Sequence, residues 1–260
     1  LNTFENFLNE DINTPFNKIT KRSIIKFKAY LSSTSRQTAS HENSQRQLSS
    51  YSINRILSAL RSYLKFLLDL DYKNIPVSAD AVKLLKTEKK HGRVPEMKDL
   101  INLIEAPTKF EKDANISLRN RAMLETLFAT GMRISELLSL KREQLDNSGR
   151  IYILGKGKKQ RFLYLTARAI RHISFYLKTR LDDAPYLFIP YRGRNNQQKN
   201  KKVSANYLQY KIKRYRELLS INIPVSAHSI RHAFATYLAE NGANPAAIQI
   251  LLGHESLDTT

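Results

Sequence analysis

Residues 151–165 read IYILGKGKKQRFLYL, which is two runs of β-prone residues separated by a short segment rich in lysine and glycine. β-branched and aromatic residues favour strands, and glycine favours the tight turn between them. The stretch therefore predicts an antiparallel hairpin with a strongly basic tip. It is the clearest strand pair in the chain, and the segments around it have a different period.

Helical patterns lie on both sides of this hairpin. A long helix is predicted from Ser117 to Gly131, because glycine is the residue best suited to end a helix at positive φ. Asn244 and Pro245 match the N-cap and first position of another helix. Further helices are predicted over residues 167–179, 205–219 and 226–241. The expected fold is mainly α, with a small antiparallel sheet or hairpin.

The N-terminal part reads as short amphipathic helices with basic outer faces. The clearest of them begins at Tyr51, and its core-facing positions are predicted to be Ile53, Ile56, Leu57, Leu60, Leu64, Leu67 and Leu68. Arg55, Arg61 and Lys65 lie outside that apolar face, where they are available to solvent or phosphate. Residues 32–50 are rich in Ser, Gln, Asn and Thr and are predicted to form a mobile loop.

The charge balance points to a polyanionic partner. The 260 residues include 43 Lys plus Arg against 23 Asp plus Glu, a formal net charge of +20. A basic surface can serve solubility alone, but basicity spread over both halves favours a nucleic acid held from two sides. The absence of cysteine excludes disulfides and thiolate nucleophiles, and no segment approaches the roughly 20 apolar residues of a membrane helix. We expect a soluble, cytoplasmic DNA-binding protein.

Domain organisation follows from the break in the helical pattern between residues 73 and 95. We expect an N-terminal helical DNA-binding domain over residues 1–85, a charged linker over residues 86–94, and a second domain over residues 95–260. Two basic domains joined by a tether would form a clamp around a duplex.

Four short segments concentrate residues suited to chemistry on a phosphate. They are Thr130-Gly131-Met132-Arg133-Ile134-Ser135-Glu136-Leu137, Gly155-Lys156-Gly157-Lys158, His228-Ser229-Ile230-Arg231-His232 and Leu251-Leu252-Gly253-His254. In this order and spacing they make residues 95–260 resemble the tyrosine site-specific recombinases and integrases, particularly the Xer-like branch. Residues 1–90 resemble the family's core-binding, SAM-like domain only as a helical basic segment of suitable length.

The resemblance implies a strand transfer in which a tyrosine attacks a DNA phosphodiester and leaves a 3′-phosphotyrosine and a free 5′-hydroxyl. It implies no metal and no other cofactor. The partner would be double-stranded DNA carrying a specific recombination site. Because recombination joins two duplexes, a homo- or hetero-tetramer on DNA is expected.

The resemblance also implies a role for each motif residue. Arg133 and Arg231 match the two catalytic arginines, whose planar guanidiniums suit a pair of phosphate oxygens better than lysine does. Lys156 matches the general acid toward the leaving 5′-oxygen. His228 matches the histidine that assists proton transfer at the nucleophile, and His254 matches the histidine that hydrogen-bonds the scissile phosphate.

A carboxylate and several cations complete the expected site. Glu136, one helical turn after Arg133, matches a common acidic position and is expected to orient a neighbouring arginine or lysine. Further DNA contacts are expected from Lys158, Lys159 and Arg161 near the hairpin tip and from Arg55, Arg61 and Lys65 in the N-terminal part.

The nucleophile is not among these residues. In the family the nucleophilic tyrosine follows the second histidine at a greater distance than the six residues that come after His254 here. We therefore expect this chain, as a sequence cut short, to bind DNA but not to cleave it. Tyr237 is the tyrosine nearest the histidine motif, but its apolar helical context predicts a core residue instead.

Other interpretations share some of these features. A type IB topoisomerase uses the same arginine, lysine and histidine chemistry, and a non-catalytic DNA-binding protein could keep the fold alone. His228, His232 and His254 could instead bind zinc, although Arg231 would repel a cation there. The motifs do not distinguish chromosome-dimer resolution during partition and cell division from phage integration or transposition.

Overall fold

The computed structural model describes residues 1–33, 47–72, 74–87, 95–146, 148–154, 160–197 and 201–253, with backbone only at 154, 194 and 195. The α-helices in these ranges are α1 (Asn2–Asn6), α2 (Lys21–Ser32), α3 (Ser50–Asp69), α4 (Met97–Phe110), α5 (Ala114–Thr130), α6 (Ile134–Ser139), α7 (Ala167–Lys178), α8 (Ala205–Leu218), α9 (Ala227–Glu240) and α10 (Pro245–Leu252). The strands are β1 (Arg150–Leu154) and β2 (Gln160–Tyr164). The prediction of a mainly α fold with a small antiparallel sheet is confirmed.

The chain divides into two compact units, Leu1–His91 and Gly92–Thr260. In the first unit, the apolar faces of α1, α2 and α3 form one core together with the π-helical turn Phe7–Asp11. The rings of Phe4 and Phe7 pack on Phe27, with centroids 4.7 and 5.2 Å away. None of the helices in the described ranges is long and apolar enough to span a bilayer.

Helix α3 carries the predicted amphipathic pattern with one exception. Leu57, Leu60 and Leu64 are buried in the core, whereas Leu68 is 65% exposed. The expectation for Leu68 was wrong because its neighbour Leu67 already occupies the core-facing position, and successive helical residues differ by about 100° around the axis. Of the predicted loop 32–50, residues 34–46 lie outside the described part of the chain.

Helix α5 is the central element of the second unit and packs against α4, α7 and α9. It begins at Ala114, three residues before the predicted start, because the Asp113 side chain accepts hydrogen bonds from two backbone N–H groups of the first turn. Its apolar residues Ala122, Met123, Leu124 and Leu127 are at most 1% exposed. Nearly all faces of α5 therefore meet protein.

Because α5 is surrounded, its charged side chains must be paired inside the unit. Glu125 is 3% exposed and accepts hydrogen bonds from Arg121 at 2.9 Å and from Arg168 of α7 at 2.6 Å. Both arginines also reach Glu105 of α4, at 3.3 and 2.8 Å. This ion-pair network joins three helices around a single buried carboxylate.

The two strands pair in antiparallel register, with Ile151 opposite Leu163 and Ile153 opposite Arg161. Along β2 the side chains alternate between exposed and buried, so that Arg161 and Leu163 share the inward face. A charged residue thus occupies a core-facing position of the sheet. The turn between the strands, residues 155–159, lies outside the described residues.

Gly131 ends α5 as predicted, in the left-handed conformation with φ at +59°. A Cβ atom at this position would lie 2.3 Å from Cδ1 of Phe234 on α9, so a side chain is excluded by packing as well as by backbone strain. The tight turn brings Arg133 directly to the start of α6.

We expect Gly131→Ala to destabilise the protein by about 3 kcal/mol, because the left-handed backbone strain adds to the overpacking against Phe234. Chemical denaturation measures this loss. Gly193→Ala is the control: Gly193 also has positive φ, at +85°, but a Cβ there meets nothing within 4 Å. Equal losses for the two variants would show that packing against Phe234 contributes nothing.

Candidate active site

Arg133 stands at the start of α6, and its neighbour one helical turn later fixes it there. The Glu136 carboxylate accepts the Arg133 backbone N–H at 2.8 Å, which satisfies one of the free donors at the helix start. The same carboxylate accepts Nη1 of Arg133 at 3.1 Å. Arg133 remains partly exposed, with 35% of its side-chain surface accessible. Glu136 therefore holds both the backbone and the side chain of Arg133.

Arg231 lies on α9 and is almost completely buried, at 5% exposure. Its Nη1 donates to the carbonyl of Gly131 at 2.8 Å, and its Nη2 donates to the carbonyl of Leu252 at 2.6 Å. Arg231 therefore connects Gly131 at the end of α5, two residues before Arg133, to the end of α10. Arg133 and Arg231, which are far apart in sequence, thus bind neighbouring carbonyls of one helix end.

Three arginines converge on the C-terminal end of α10, one on each of three consecutive carbonyls. Arg161 Nε donates to Leu251 at 2.9 Å, Arg231 Nη2 donates to Leu252, and Arg133 Nη2 donates to Gly253 at 2.9 Å. The last carbonyls of a helix lack intrahelical donors and carry partial negative charge, so cations are stabilised there. We call Arg133, Arg161, Arg231 and Glu136 together the arginine cluster.

The arginine cluster holds three cations against one carboxylate, an excess of positive charge suited to an anion. Burial, together with the nearby charge of Arg133, lowers the pKa of Arg231 to about 10, which still leaves it protonated at neutral pH. Burial raises the pKa of Glu136, but hydrogen bonds from Arg161 and from the Arg133 backbone outweigh it. The pKa of Glu136 lies below its ordinary value, so this carboxylate stays ionised.

His228 lies on α9 three residues before Arg231, so the two side chains project from neighbouring positions of the helix. Its Nε2 is 2.9 Å from Nε2 of His232, a contact that requires at least one of the rings to offer a lone pair. Burial, His232 and Arg231 all lower the pKa of His228. A neutral imidazole at this place can accept a proton from a nucleophile.

The structure does not address every predicted site residue. Lys156, Lys158, Lys159 and His254 lie outside the described residues. Within the described part of the chain, no group of three or more His, Asp or Glu side chains is arranged to hold a metal ion.

Two of the expected DNA contacts have internal partners instead. Arg161 is 8% exposed, and its guanidinium donates to Glu136 and to the Leu251 carbonyl. Arg61 donates through Nε and Nη2 to the carbonyl of Val82, at 3.1 and 2.5 Å. Arg55 and Lys65 are exposed on α3.

Tyr237 is 46% exposed, so the prediction of a core position for it was wrong. It lies on α9, where Ile230 and Ala233 face the core instead. The apolar neighbours of Tyr237 in sequence suggested burial, but the helix turns this ring toward the surface.

The structural role of Arg161 was not found from the sequence. The signal was available in the strand register: Ile153 faces the core, and its partner across the sheet shares that face. The sequence does not show which residues of β2 face the core, because the four residues after Arg161 are all apolar or aromatic. Both faces of the strand therefore look hydrophobic. The Gly253 carbonyl was missed for a different reason, since a backbone acceptor leaves no trace in the residue type.

Known proteins resemble this chain in sequence. The model of the phage integrase family matches residues 93–260. Tyrosine recombinase XerC of Pelobacter propionicus is 36% identical over 221 residues, which are 82% of this chain and 68% of that protein. Tyrosine recombinase XerD of Staphylococcus epidermidis is 33% identical over 222 residues, 82% of this chain and 70% of that protein.

Solved structures resemble the fold. The XerH site-specific recombinase bound to its difH substrate, in a pre-cleavage complex, matches with a TM-score of 0.68 at 24% identity, over 93% of this chain and 65% of that one. A lambda integrase dimer bound to a core site also has a TM-score of 0.68, at 14% identity, over 95% of this chain and 83% of that one. At these identities the likeness concerns the fold.

Proposed function

Because the chain belongs to the phage integrase family of tyrosine recombinases, we propose that it is a Xer-like site-specific recombinase that cuts and rejoins DNA strands. The observation that carries this proposal is the convergence of Arg133 and Arg231 on adjacent carbonyls of α10, with His228 on the same helix as Arg231. Two fixed guanidiniums beside a neutral imidazole suit a reaction at a phosphodiester.

The proposed reaction uses side chains of the protein and needs no metal or cofactor. The tyrosine hydroxyl oxygen forms a bond to phosphorus and the bond to the 5′-oxygen breaks, which leaves a 3′-phosphotyrosine. His228 takes the hydroxyl proton, and Lys156 gives a proton to the leaving 5′-oxygen. Arg133 and Arg231 stabilise the charge that develops on the nonbridging oxygens, because guanidinium pairs bind such oxygens bidentately. His254 hydrogen-bonds the same phosphate.

The rest of the chain is proposed to hold DNA. Residues 1–85 would act as the core-binding domain, residues 86–94 as a linker and residues 95–260 as the catalytic domain. Arg55 and Lys65, both exposed on α3, would contact phosphates of the duplex. The working form would be a tetramer on double-stranded DNA carrying a specific site, in the cytoplasm where that DNA lies.

Capture of a covalent adduct tests the proposed function. The full-length protein is incubated with fragmented genomic DNA from its own organism, denatured with detergent and recovered with any attached DNA. We expect attached fragments to share one sequence and to carry a free 5′-hydroxyl at the break, because the phosphate stays on the tyrosine. Absence of adduct with every fragment would favour a non-catalytic DNA-binding protein. Relaxation of supercoiled DNA without sequence preference would favour a topoisomerase.

One variant tests Tyr237 as the nucleophile in the same assay. Tyr237→Phe is expected to form the adduct at the wild-type rate, because the proposed reaction assigns no role to Tyr237. Loss of the adduct in Tyr237→Phe would identify Tyr237 as the nucleophile.

A further inference from the structure

We propose that Arg161 is a positioning residue that fixes the guanidinium of Arg133 through the carboxylate of Glu136 and the C-terminal end of α10. This inference rests on the proposed function, because it assigns a role in the same reaction. Arg161 does not itself face a ligand. Its contacts, its burial and the glycine beside it carry the inference.

Arg161 lies in the interior of the second unit. Its side chain is only 7% exposed, and a buried cation is unfavourable unless it is paired and hydrogen-bonded. Both Nη atoms donate to the two oxygens of Glu136, at 3.1 and 2.8 Å, and Nε donates to Leu251. Each of its side-chain nitrogens therefore donates to a protein acceptor.

The carboxylate of Glu136 accepts hydrogen bonds from both Arg133 and Arg161. Glu136 Oε1 accepts from Arg133 Nη1 and from Arg161 Nη1, each at 3.1 Å. Its Oε2 accepts the Arg133 backbone N–H at 2.8 Å and Arg161 Nη2 at 2.8 Å. The planar fork of Arg161 thus determines the direction in which the carboxylate offers its lone pairs to Arg133.

Arg161 also contacts the end of α10, where Arg133 has its other acceptor. Arg133 Nη2 donates to the Gly253 carbonyl, and Arg161 binds the carbonyl two residues earlier on the same helix end. A Cβ at Gly253 would lie 2.9 Å from Nη1 of Arg161, so glycine allows this close approach. The two Nη atoms of Arg133 donate to the Glu136 carboxylate and to the end of α10. Arg161 contacts both of these acceptor groups and so orients them.

Substitutions at two buried arginines test the inference. In Arg161→Met, Glu136 and Leu251 lose their shared donor. Arg180→Met is the matched control: Arg180 is 9% exposed, donates to both oxygens of Asp182 and binds the carbonyls of Ala184, Tyr186 and Leu187. We expect Arg161→Met to slow adduct formation at saturating DNA by about 10- to 100-fold per folded molecule, with DNA affinity nearly unchanged.

Arg180→Met is expected to keep the wild-type rate per folded molecule although it loses stability. Arg161→Lys keeps a cation but not the fork, so its rate should lie between those of Arg161→Met and the wild type. An Arg161→Met rate equal to wild type, or equal losses in the Arg161 and Arg180 variants, would overturn the inference.

A readout without DNA separates this inference from the proposed function. In the DNA-free protein, acceptors at both Nη atoms of Arg133 should hinder rotation of its guanidinium and give separate Nη proton resonances, assigned by their loss in Arg133→Lys. We expect Arg161→Met, but not Arg180→Met, to average these resonances. Unchanged resonances in Arg161→Met would refute the positioning role even if the protein forms no adduct at all.

Discussion

Replacing Arg231 with alanine is expected to slow adduct formation by about 10²–10³-fold, because the reaction then loses a preorganised donor for the charge on the phosphate. The effect should appear in the rate at saturating DNA, since the stabilisation is needed in the transition state more than in the bound ground state. Arg133→Ala is expected to show a loss of the same order. Single-turnover cleavage of the captured DNA fragment measures both.

Controls are needed because Arg231 also supports the fold. Its removal leaves the carbonyls of Gly131 and Leu252 without this donor, so the rate must be expressed per folded molecule. Arg133→Ala is the milder variant, because Arg133 is partly exposed. DNA affinity is expected to stay close to wild type in both variants. A parallel loss of DNA binding and cleavage would show that the two arginines are structural residues.

Glu125→Ala is expected to reduce the free energy of unfolding of the second unit by about 3–5 kcal/mol, because it leaves the largely buried cation of Arg121 without its closest partner. Arg168 loses the same carboxylate but is half exposed, so water can replace part of that contact. Denaturant titration followed by circular dichroism measures the loss.

A control variant and a rescue variant test whether the loss comes from the buried ion pair. Glu143→Ala removes an exposed carboxylate that pairs with Lys141 at 3.2 Å, and it should leave stability unchanged within error, since exposed pairs contribute little. Arg121→Met combined with Glu125→Met should recover much of the loss, because apolar side chains can replace a buried ion pair. If Glu125→Ala cost no more than Glu143→Ala, the network would not stabilise the fold.

The elements of this fold were predictable where the signal is local. The hairpin, the glycine that ends α5 and the Asn244–Pro245 start of α10 each depend on a few adjacent residues, and the structure has all three. Boundaries were less certain, as at the start of α5, where the Asp113 cap extends the helix by one turn.

Burial at single positions was harder to predict. Leu68 and Tyr237 look apolar in sequence but are exposed, whereas Arg161 looks like a DNA contact but is buried. In each case the face of the element depends on which neighbours pack against it. Residue type alone therefore misplaced these side chains.

The sequence by itself determined the family, the helical class and the identity of the arginines, because residue types at fixed spacing specify local structure and chemical capacity. Only the tertiary structure decided what those arginines touch. Arg133 binds a carbonyl 120 residues away and Arg161 one 90 residues away, and backbone acceptors carry no signature in the residue code. Partner choice follows from how α5, α6, α9, α10 and β2 pack, since a buried cation must pair with whatever acceptor the fold places beside it.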